Sequence, residues 1–239
     1  MNIALVGFGN MGKEIEEVVK SGGTHQINSI SSQSKGWDET GIKAADVVID
    51  FSSPEVAIDN IKKISGLGKN MVVGTSGWYD QLAAVEQIIN ESGTGLIYGQ
   101  NFAIGTNIFF KLVALASKLS SKYGNYDVYG YEVHHSGKKD SPSGTAFKTA
   151  ETIMENFPTK TKLETGRLDR KIEKNELHFA SIRGGRNPGM HEVTFDSEAD
   201  SINLKVQNHG RRGYAEGAVM AAEFILGKKG IYAFDEIIK

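Results

Sequence analysis

Apolar and polar positions follow two different grammars along this chain. In the first hundred residues, short and mainly apolar runs recur: Ile3–Val6, Ile27–Ile30, Val47–Phe51, Met71–Val73 and Leu96–Tyr98. Amphipathic stretches or turns separate them, at Met11–Lys20, Pro54–Ile64 and Tyr79–Asn90. A strand with no polar face is buried on both sides. Its alternation with helices predicts a parallel sheet covered by helices on each face. Pro54 suits the first turn of a helix, where its missing N–H costs nothing, with Ser52 or Ser53 as the N-cap.

After Asn101 the pattern changes. Ile104–Tyr123 reads as one long helix, with Ile108, Phe109, Leu112, Val113, Ala116 and Leu119 at helical spacing. A strand over Asp127–His134 and a helix over Thr145–Glu155 follow. Three strands then come in succession, Glu176–Arg183, Met190–Phe195 and Ile202–Gln207, the last two joined by the turn cluster Asp196–Ser201. Strands without intervening helices predict a mixed sheet and hence a second domain. The alanine-rich stretch Tyr214–Leu226, ended by Gly227, predicts a helix that returns to the first domain.

The 239 residues leave room for one large domain or two small ones. Lys+Arg number 27 against 29 Asp+Glu, a net charge of -2, which argues against a nucleic-acid partner. There are no cysteines, so disulfides, thiolate nucleophiles and Cys-ligated metals are excluded. The N-terminus lacks the pattern of a signal peptide, and no apolar run reaches the ~18 residues of a membrane span. A cytoplasmic protein is the expectation. Glycine is abundant at 28 residues while proline numbers only 4, a balance that favours tight turns and close backbone approach over disordered linkers.

The segment Gly7-Phe8-Gly9-Asn10-Met11-Gly12 is a G-x-G-x-x-G placed between a strand and a helix. Gly7 permits the turn, Gly9 leaves room for a pyrophosphate, and Gly12 allows close packing of helix and strand. Backbone N–H groups and the positive helix end then meet the phosphates. An acidic residue that would bind a free ribose 2′-hydroxyl is absent after the second strand. Ser31, Ser32, Gln33, Ser34 and Lys35 stand there, a set suited to a 2′-phosphate, so the expected cofactor is NADPH or NADH with a weak preference for NADPH. Two more segments fall at strand ends, where this fold places its ligands: Gly74, Thr75 and Ser76, and Gly99, Gln100, Asn101 and Phe102. The expected fold class is α/β: a Rossmann-like dinucleotide-binding domain over 1–102, completed by 213–239, and a smaller α+β substrate domain with a mixed sheet over 103–212.

The densest chemistry lies in Tyr131–Phe147, YEVHHSGKKDSPSGTAF. A strand delivers His134 and His135, a turn carries Lys138, Lys139 and Asp140, and Ser143, Gly144 and Thr145 open a helix. Imidazoles and ammoniums exchange protons or neutralise anions, and a helix start of this type binds an anion. No metal site is indicated: the six histidines include one adjacent pair but no H-x-x-x-H spacing.

The pattern E-x-H-H-x-x-K-x-D-x-P-S-G-T-A, from Glu132 to Ala146, resembles the signature of the 4-hydroxy-tetrahydrodipicolinate reductase (dihydrodipicolinate reductase) family. GFGNMG, VIDFSSPE, VVGTSGW, QNFAIGTN, SIRGG, G-x-H-E-V-x-F and RGYAEGA extend that resemblance in order along nearly the whole chain. It implies NAD(P)H-dependent reduction of 4-hydroxy-tetrahydrodipicolinate to tetrahydrodipicolinate in lysine and diaminopimelate biosynthesis. It implies His134 as proton donor or acceptor and Lys138 as the acid that protonates the ring. His135, Ser143, Gly144 and Thr145 would bind the substrate carboxylate. It further implies a homotetramer built through the mixed sheet. Closure of the two domains over substrate is expected, with Asn101–Gly105 near one hinge. The chain departs from the family pattern at Gln100, at Asn187, Pro188 and Met190, and in the run before the last helix, KVQNHGRRGYA. Arg183, Arg186 and Arg211 are candidates to screen a second carboxylate. Two other readings are a different NAD(P)-dependent dehydrogenase of an amino or imino dicarboxylate, and a nicotinamide-nucleotide sensor without chemistry.

Overall fold

The computed structural model of the chain describes residues 1–123 and 125–238. In chain order the first elements are β1 (Asn2–Val6), α1 (Asn10–Gly22), β2 (Gln26–Ser31), α2 (Glu39–Ala44), β3 (Val47–Asp50), α3 (Pro54–Gly66), β4 (Met71–Val73), α4 (Leu82–Ser92) and β5 (Gly95–Tyr98). Then come α5 (Ile104–Ser120), β6 (Asp127–His134), α6 (Gly144–Asn156), β7 (Lys162–Glu164), β8 (Glu176–Arg183), β9 (Met190–Asp196) and β10 (Ser201–Gln207). The chain ends with α7 (Arg212–Ile225), β11 (Gly230–Ala233) and α8 (Phe234–Ile237). These elements form two compact units, one of Met1–Ile104 with Arg211–Lys239, the other of Gly105–Gly210.

The first unit holds a six-stranded, all-parallel sheet in the order β11-β5-β4-β3-β1-β2. Alternate residues of each strand feed opposite cores. Ile3, Leu5, Val47, Ile49, Val72 and Ile97 pack with Ile15 and Val19 of α1 and with the alanines of α7. Ala4, Val6, Val48, Met71, Val73 and Leu96 pack with Ala57, Ile61 and Ile64 of α3 and Val85 and Ile89 of α4. Helices therefore cover both faces, as the apolar central strands require.

The second unit holds a five-stranded mixed sheet in the order β10-β9-β6-β8-β7. Central β6 runs parallel to β8 and antiparallel to β9, and β9 and β10 form a hairpin. One face, with Val128, Phe179, Val193 and Phe195, packs on Phe109 and Val113 of α5 and on Ala146, Ala150 and Ile153 of α6. The alternate positions of β6 and β8 give the other face, where Tyr129 is 46% and Ile182 50% exposed.

Several sequence expectations need adjustment. The stretch Tyr79–Asn90 divides into a 3-10 turn, Tyr79–Gln81, and most of α4. The long helix stops at Ser120, and Ile108, Leu112 and Leu119 lie on an exposed stripe beside the buried Phe109 and Val113. Ser53 takes the N-cap position of α3, but its side chain makes no capping hydrogen bond. Among the described residues no helix is long and apolar enough to cross a membrane.

Candidate active site

In the first unit the glycine turn opens a cavity of about 880 Å³ lined by Gly7, Phe8, Gly9, Ser32 and Gln33, together with Trp37 and Ser52. The three glycines do different things. Gly7 has φ 87°, and a Cβ there would lie 2.2 Å from the Phe51 carbonyl oxygen. A Cβ on Gly12 would lie 2.4 Å from the Gly7 carbonyl oxygen, so this glycine seats the helix against the turn. A Cβ on Gly9 would meet nothing within 4 Å. Gly9 is thus needed for no internal contact, and its bareness leaves space for a ligand. It is also the N-cap of α1, and no side chain caps the first turn, where Asn10, Met11 and Gly12 lie. A bare backbone turn at a helix N-terminus fits a pyrophosphate.

The turn after β2 closes on itself through Ser32 and Gly36, which exchange backbone hydrogen bonds of 3.2 and 2.8 Å. The Lys35 ammonium lies 4.8 Å from the centroid of the Phe8 ring. The nearby acid Asp38 is committed elsewhere: its carboxylate accepts from the Ser29 hydroxyl at 2.8 Å and from the Gly41 N–H at 2.9 Å.

Residues 74–76 and 99–102 follow β4 and β5 and do not line this cavity. The Thr75 hydroxyl accepts from the Ser52 N–H at 2.9 Å and donates to buried Asp50 at 3.1 Å. Gly74 lies against the Phe51 ring, and Ser76 is exposed. Phe102 is core, its ring centroid 4.6 Å from that of Phe234, so only its backbone remains for a ligand. A Cβ on Gly99 would lie 2.9 Å from Phe234. Gln100 is exposed, and the Asn101 side chain accepts from the Ala103 N–H at 2.8 Å.

In the second unit everything turns on Glu132. It lies on β6 with 0% exposure, and its cross-strand neighbours are Ser181 on β8 and His191 on β9. Its Oε1 accepts from the Ser143 N–H at 2.9 Å, the Ser181 hydroxyl at 2.8 Å and Arg183 Nη2 at 2.8 Å. Its Oε2 accepts from the Ser143 hydroxyl. His134 Nδ1 lies 3.0 Å from the same oxygen and His191 Nδ1 4.0 Å from it. Burial alone would raise this carboxyl's pKa, but the donors from Ser143, Arg183 and Ser181 outweigh it and bring the value down to about 2.

The two histidines meet edge to face with centroids 5.3 Å apart. Burial lowers the pKa of His134, with Lys138 and Arg183 acting in the same direction and Glu132 and Asp140 against it. Burial lowers His191 to about 4. Glu132, His134 and His191 have ligand atoms within 4.8 Å of one another, a spacing a cation could use. The Glu132 oxygens, however, already serve four donors, one of them cationic, so the geometry is that of a hydrogen-bond network.

The loop beyond β6 is pinned by backbone bonds from the His135 N–H to the Asn187 carbonyl at 2.8 Å and from the Gly184 N–H to the His134 carbonyl at 2.9 Å. His135 is exposed, and Lys138 pairs with Asp140 at 2.8 Å. The Ser143 hydroxyl caps α6, accepting from the Ala146 N–H at 3.2 Å while donating to Glu132. It faces inward, whereas Gly144 is exposed and a Cβ there would meet nothing within 4 Å. Arg183 does not stand out as a carboxylate screen. Its guanidinium binds Glu132 and the Asp140 carbonyl, the latter at 2.7 Å, while Arg186 and Arg211 are exposed. The sequence flagged Glu132 and His191 only as parts of motifs. Their common role depends on strand register, which no local signal carries.

One unit holds a parallel, doubly covered sheet with a bare glycine turn and the other a buried Glu–His cluster, the parts expected of a nicotinamide-dependent oxidoreductase. The profile described as "Dihydrodipicolinate reductase, N-terminus" matches residues 1–102, and that described as "Dihydrodipicolinate reductase, C-terminus" matches residues 105–238. The chain belongs to the dihydrodipicolinate reductase family. It is 35% identical over 238 residues to a 4-hydroxy-tetrahydrodipicolinate reductase of Christiangramia forsetii, covering 100% of this chain and 98% of that one. It is 33% identical to one of Methanococcus aeolicus, covering 94% of this chain and 77% of the relative. A dipicolinate-bound dihydrodipicolinate reductase from Paenisporosarcina sp. TG-14 shares the fold at a TM-score of 0.82, with 22% identity and 99% of both chains covered.

Proposed function

We propose that the chain reduces 4-hydroxy-tetrahydrodipicolinate to tetrahydrodipicolinate with NAD(P)H, in lysine and diaminopimelate biosynthesis, with His134 and Lys138 as its proton-carrying residues. Family membership supports the reaction. The observation that carries the residue roles is the Glu132 cluster, which ties His134 to the start of α6 through one carboxylate. The dehydrogenase and sensor alternatives lose ground, since Glu132 and His134 at the centre of this cluster belong to the E-x-H-H-x-x-K signature.

The first unit is the dinucleotide-binding domain. Gly7, Phe8, Gly9, Asn10, Met11 and Gly12 cradle the pyrophosphate, and Ser32 and Gln33 meet the adenosine ribose. Residues 74–76 and 99–102 serve the nicotinamide half, Phe102 through its backbone. When bound, the nicotinamide supplies a hydride. Lys35, its ammonium over the Phe8 ring of the glycine turn, and the Ser32 and Ser34 hydroxyls, with Asp38 committed to Ser29 and Gly41, favour a 2′-phosphate and hence a weak preference for NADPH.

The second unit is the substrate-binding and tetramerisation domain. His135, Gly144 and Thr145 bind a substrate carboxylate at the positive end of α6, and Ser143 contributes by holding that turn. Lys138 gives its proton to the ring as hydride arrives. Its pairing with Asp140, which is 57% exposed, is screened and easily exchanged. His134 moves a second proton, at a site where burial and neighbours set its basicity, so that the 4-hydroxyl leaves as water; one hydride and one net proton go in and one water comes out. The protein acts in the cytoplasm as a homotetramer.

The test is a coupled assay in which dihydrodipicolinate synthase makes the substrate from pyruvate and aspartate semialdehyde, with NADPH and NADH oxidation followed separately. Lys138→Ala is expected to lose about 10²–10⁴-fold in kcat while binding NADPH normally. Activity within a few-fold of wild type would remove Lys138 from the chemistry. Equal kcat/KM for the two cofactors would remove the NADPH preference.

A further inference from the structure

Glu132 does not project toward a ligand. It is sealed between three strands, and it receives donors from elements far apart in the chain: Ser181 and Arg183 on β8, and both the N–H and the hydroxyl of Ser143 at the start of α6. The same carboxylate stands 3.0 Å from His134 Nδ1. Arg183 extends the brace by binding the Asp140 carbonyl at 2.7 Å, in the loop that carries Lys138. On the opposite side of the imidazole, the backbone at Gly189 comes so close that a Cβ there would lie 3.0 Å from His134 Nε2. The imidazole therefore sits with the carboxylate near Nδ1 and the bare backbone of Gly189 near Nε2.

We propose that Glu132 is the positioning residue of this site, one buried carboxylate that fixes the His134 ring and the opening turn of α6 at a constant separation. Proton carrier and carboxylate cradle then move as a single body. The inference rests on the reading of His134 as proton carrier and of the α6 start as anion cradle. It adds that neither can be placed without the residue between them. It also gives the carboxylate a second effect, since a negative charge beside Nδ1 favours the imidazolium. The other groups facing His134 are His191 on β9, Arg183 on β8, and Lys138 and Asp140 in the loop. Lys138 and Arg183 oppose the charge, and Glu132 and Asp140 support it.

The experiment compares wild type, Glu132→Gln, Glu132→Asp and His134→Gln as full chains. It reads kcat/KM, NADPH binding, inhibition by dipicolinate, and the titration of His134 in histidine-labelled protein, with the signal identified by its loss in His134→Gln. Glu132→Gln is expected to lower kcat/KM by about 10²-fold, the scale of a misplaced catalytic group, and to weaken dipicolinate binding. The His134 titration should move to lower pH, and NADPH binding should stay at the wild-type level. Glu132→Asp keeps the charge but shortens the reach. It should bring the titration back toward wild type while dipicolinate binding stays weak.

A folded Glu132→Gln with an unmoved His134 titration, or with wild-type kcat/KM, overturns the proposal. Wild-type activity in His134→Gln overturns the underlying reading of His134, and the proposal with it. Should Glu132→Gln not fold, Ser143→Ala decides the matter. It removes the hydroxyl's half of the tie to α6 and leaves the Ser143 N–H bond and the carboxylate in place, so dipicolinate binding should weaken with the His134 titration unmoved. Unchanged dipicolinate binding in that variant overturns the proposal.

Discussion

His191 shows at the scale of a single residue how burial becomes pH dependence. It is 2% exposed, and burial, aided by neighbouring His134, Lys138 and Arg183, lowers its pKa to about 4 against the pull of Glu132. In an unfolded chain a histidine titrates near ~6.5. Between those values the unfolded chain takes up a proton that the folded chain refuses. The stabilisation from keeping His191 neutral is therefore complete above about pH 6.5 and is lost as pH falls toward 4, to a total on the order of 3 kcal/mol. Urea midpoints measured from pH 7.5 to 5 should fall steeply in wild type. They should fall less steeply in His191→Gln, which has no proton to take up. Parallel slopes would mean that another group carries the acid sensitivity.

At the scale of the element, the strand–turn–helix of β1 and α1 separates folding from binding within one motif. Gly7 is fixed by its φ of 87° and by the Phe51 carbonyl, whereas Gly9 faces open space. A methyl group at Gly9 should leave stability within about 1 kcal/mol, the cost of alanine at an N-cap, yet obstruct the pyrophosphate. Gly9→Ala is expected to shift the melting temperature by no more than about 2–4 °C and to lose at least about tenfold in NADPH affinity, read by titration calorimetry. Wild-type affinity would show that the phosphates do not approach this turn.

This motif was legible in the sequence because strand, glycine spacing and helix are all local. The long elements were legible for the same reason: Ile15 and Val19, or Ala57, Ile61 and Ile64, repeat at helical spacing and all face a core. Short elements were not. The helix α2 has six residues and depends on the Asp38 cap, and β7 and β11 are short edge strands defined by pairing with β8 and β5. Periodicity identified α5 as a helix with apolar residues at helical spacing but not which of its apolar faces is buried. The Glu132 cluster lay outside any local signal, since Ser181 and His191 reach it only through the registers of β8 and β9.

At the scale of the whole molecule, the mixed sheet has one face covered by α5 and α6 and one face bare. Glu132 and its partners lie on the covered side, where Val128, Phe179 and Val193 continue the same alternation. The alternate positions carry Tyr129 and Ile182, large side chains 46% and 50% exposed in the single chain. A sheet face of this kind buries its apolar surface by association, and closed symmetric assemblies are the usual form. Through this face the protein is expected to form a tetramer, with a mass in light scattering four times that of the chain. Tyr129→Glu combined with Ile182→Glu places two like charges on each copy of the face and should release single chains at micromolar concentration. The parallel sheet and its glycine turn belong to the other unit, so NADPH binding should survive the change. A tetramer that persists in the double variant would locate the assembly elsewhere, and the exposed stripe of Ile108, Leu112, Leu115 and Leu119 on α5 would be the next surface to charge.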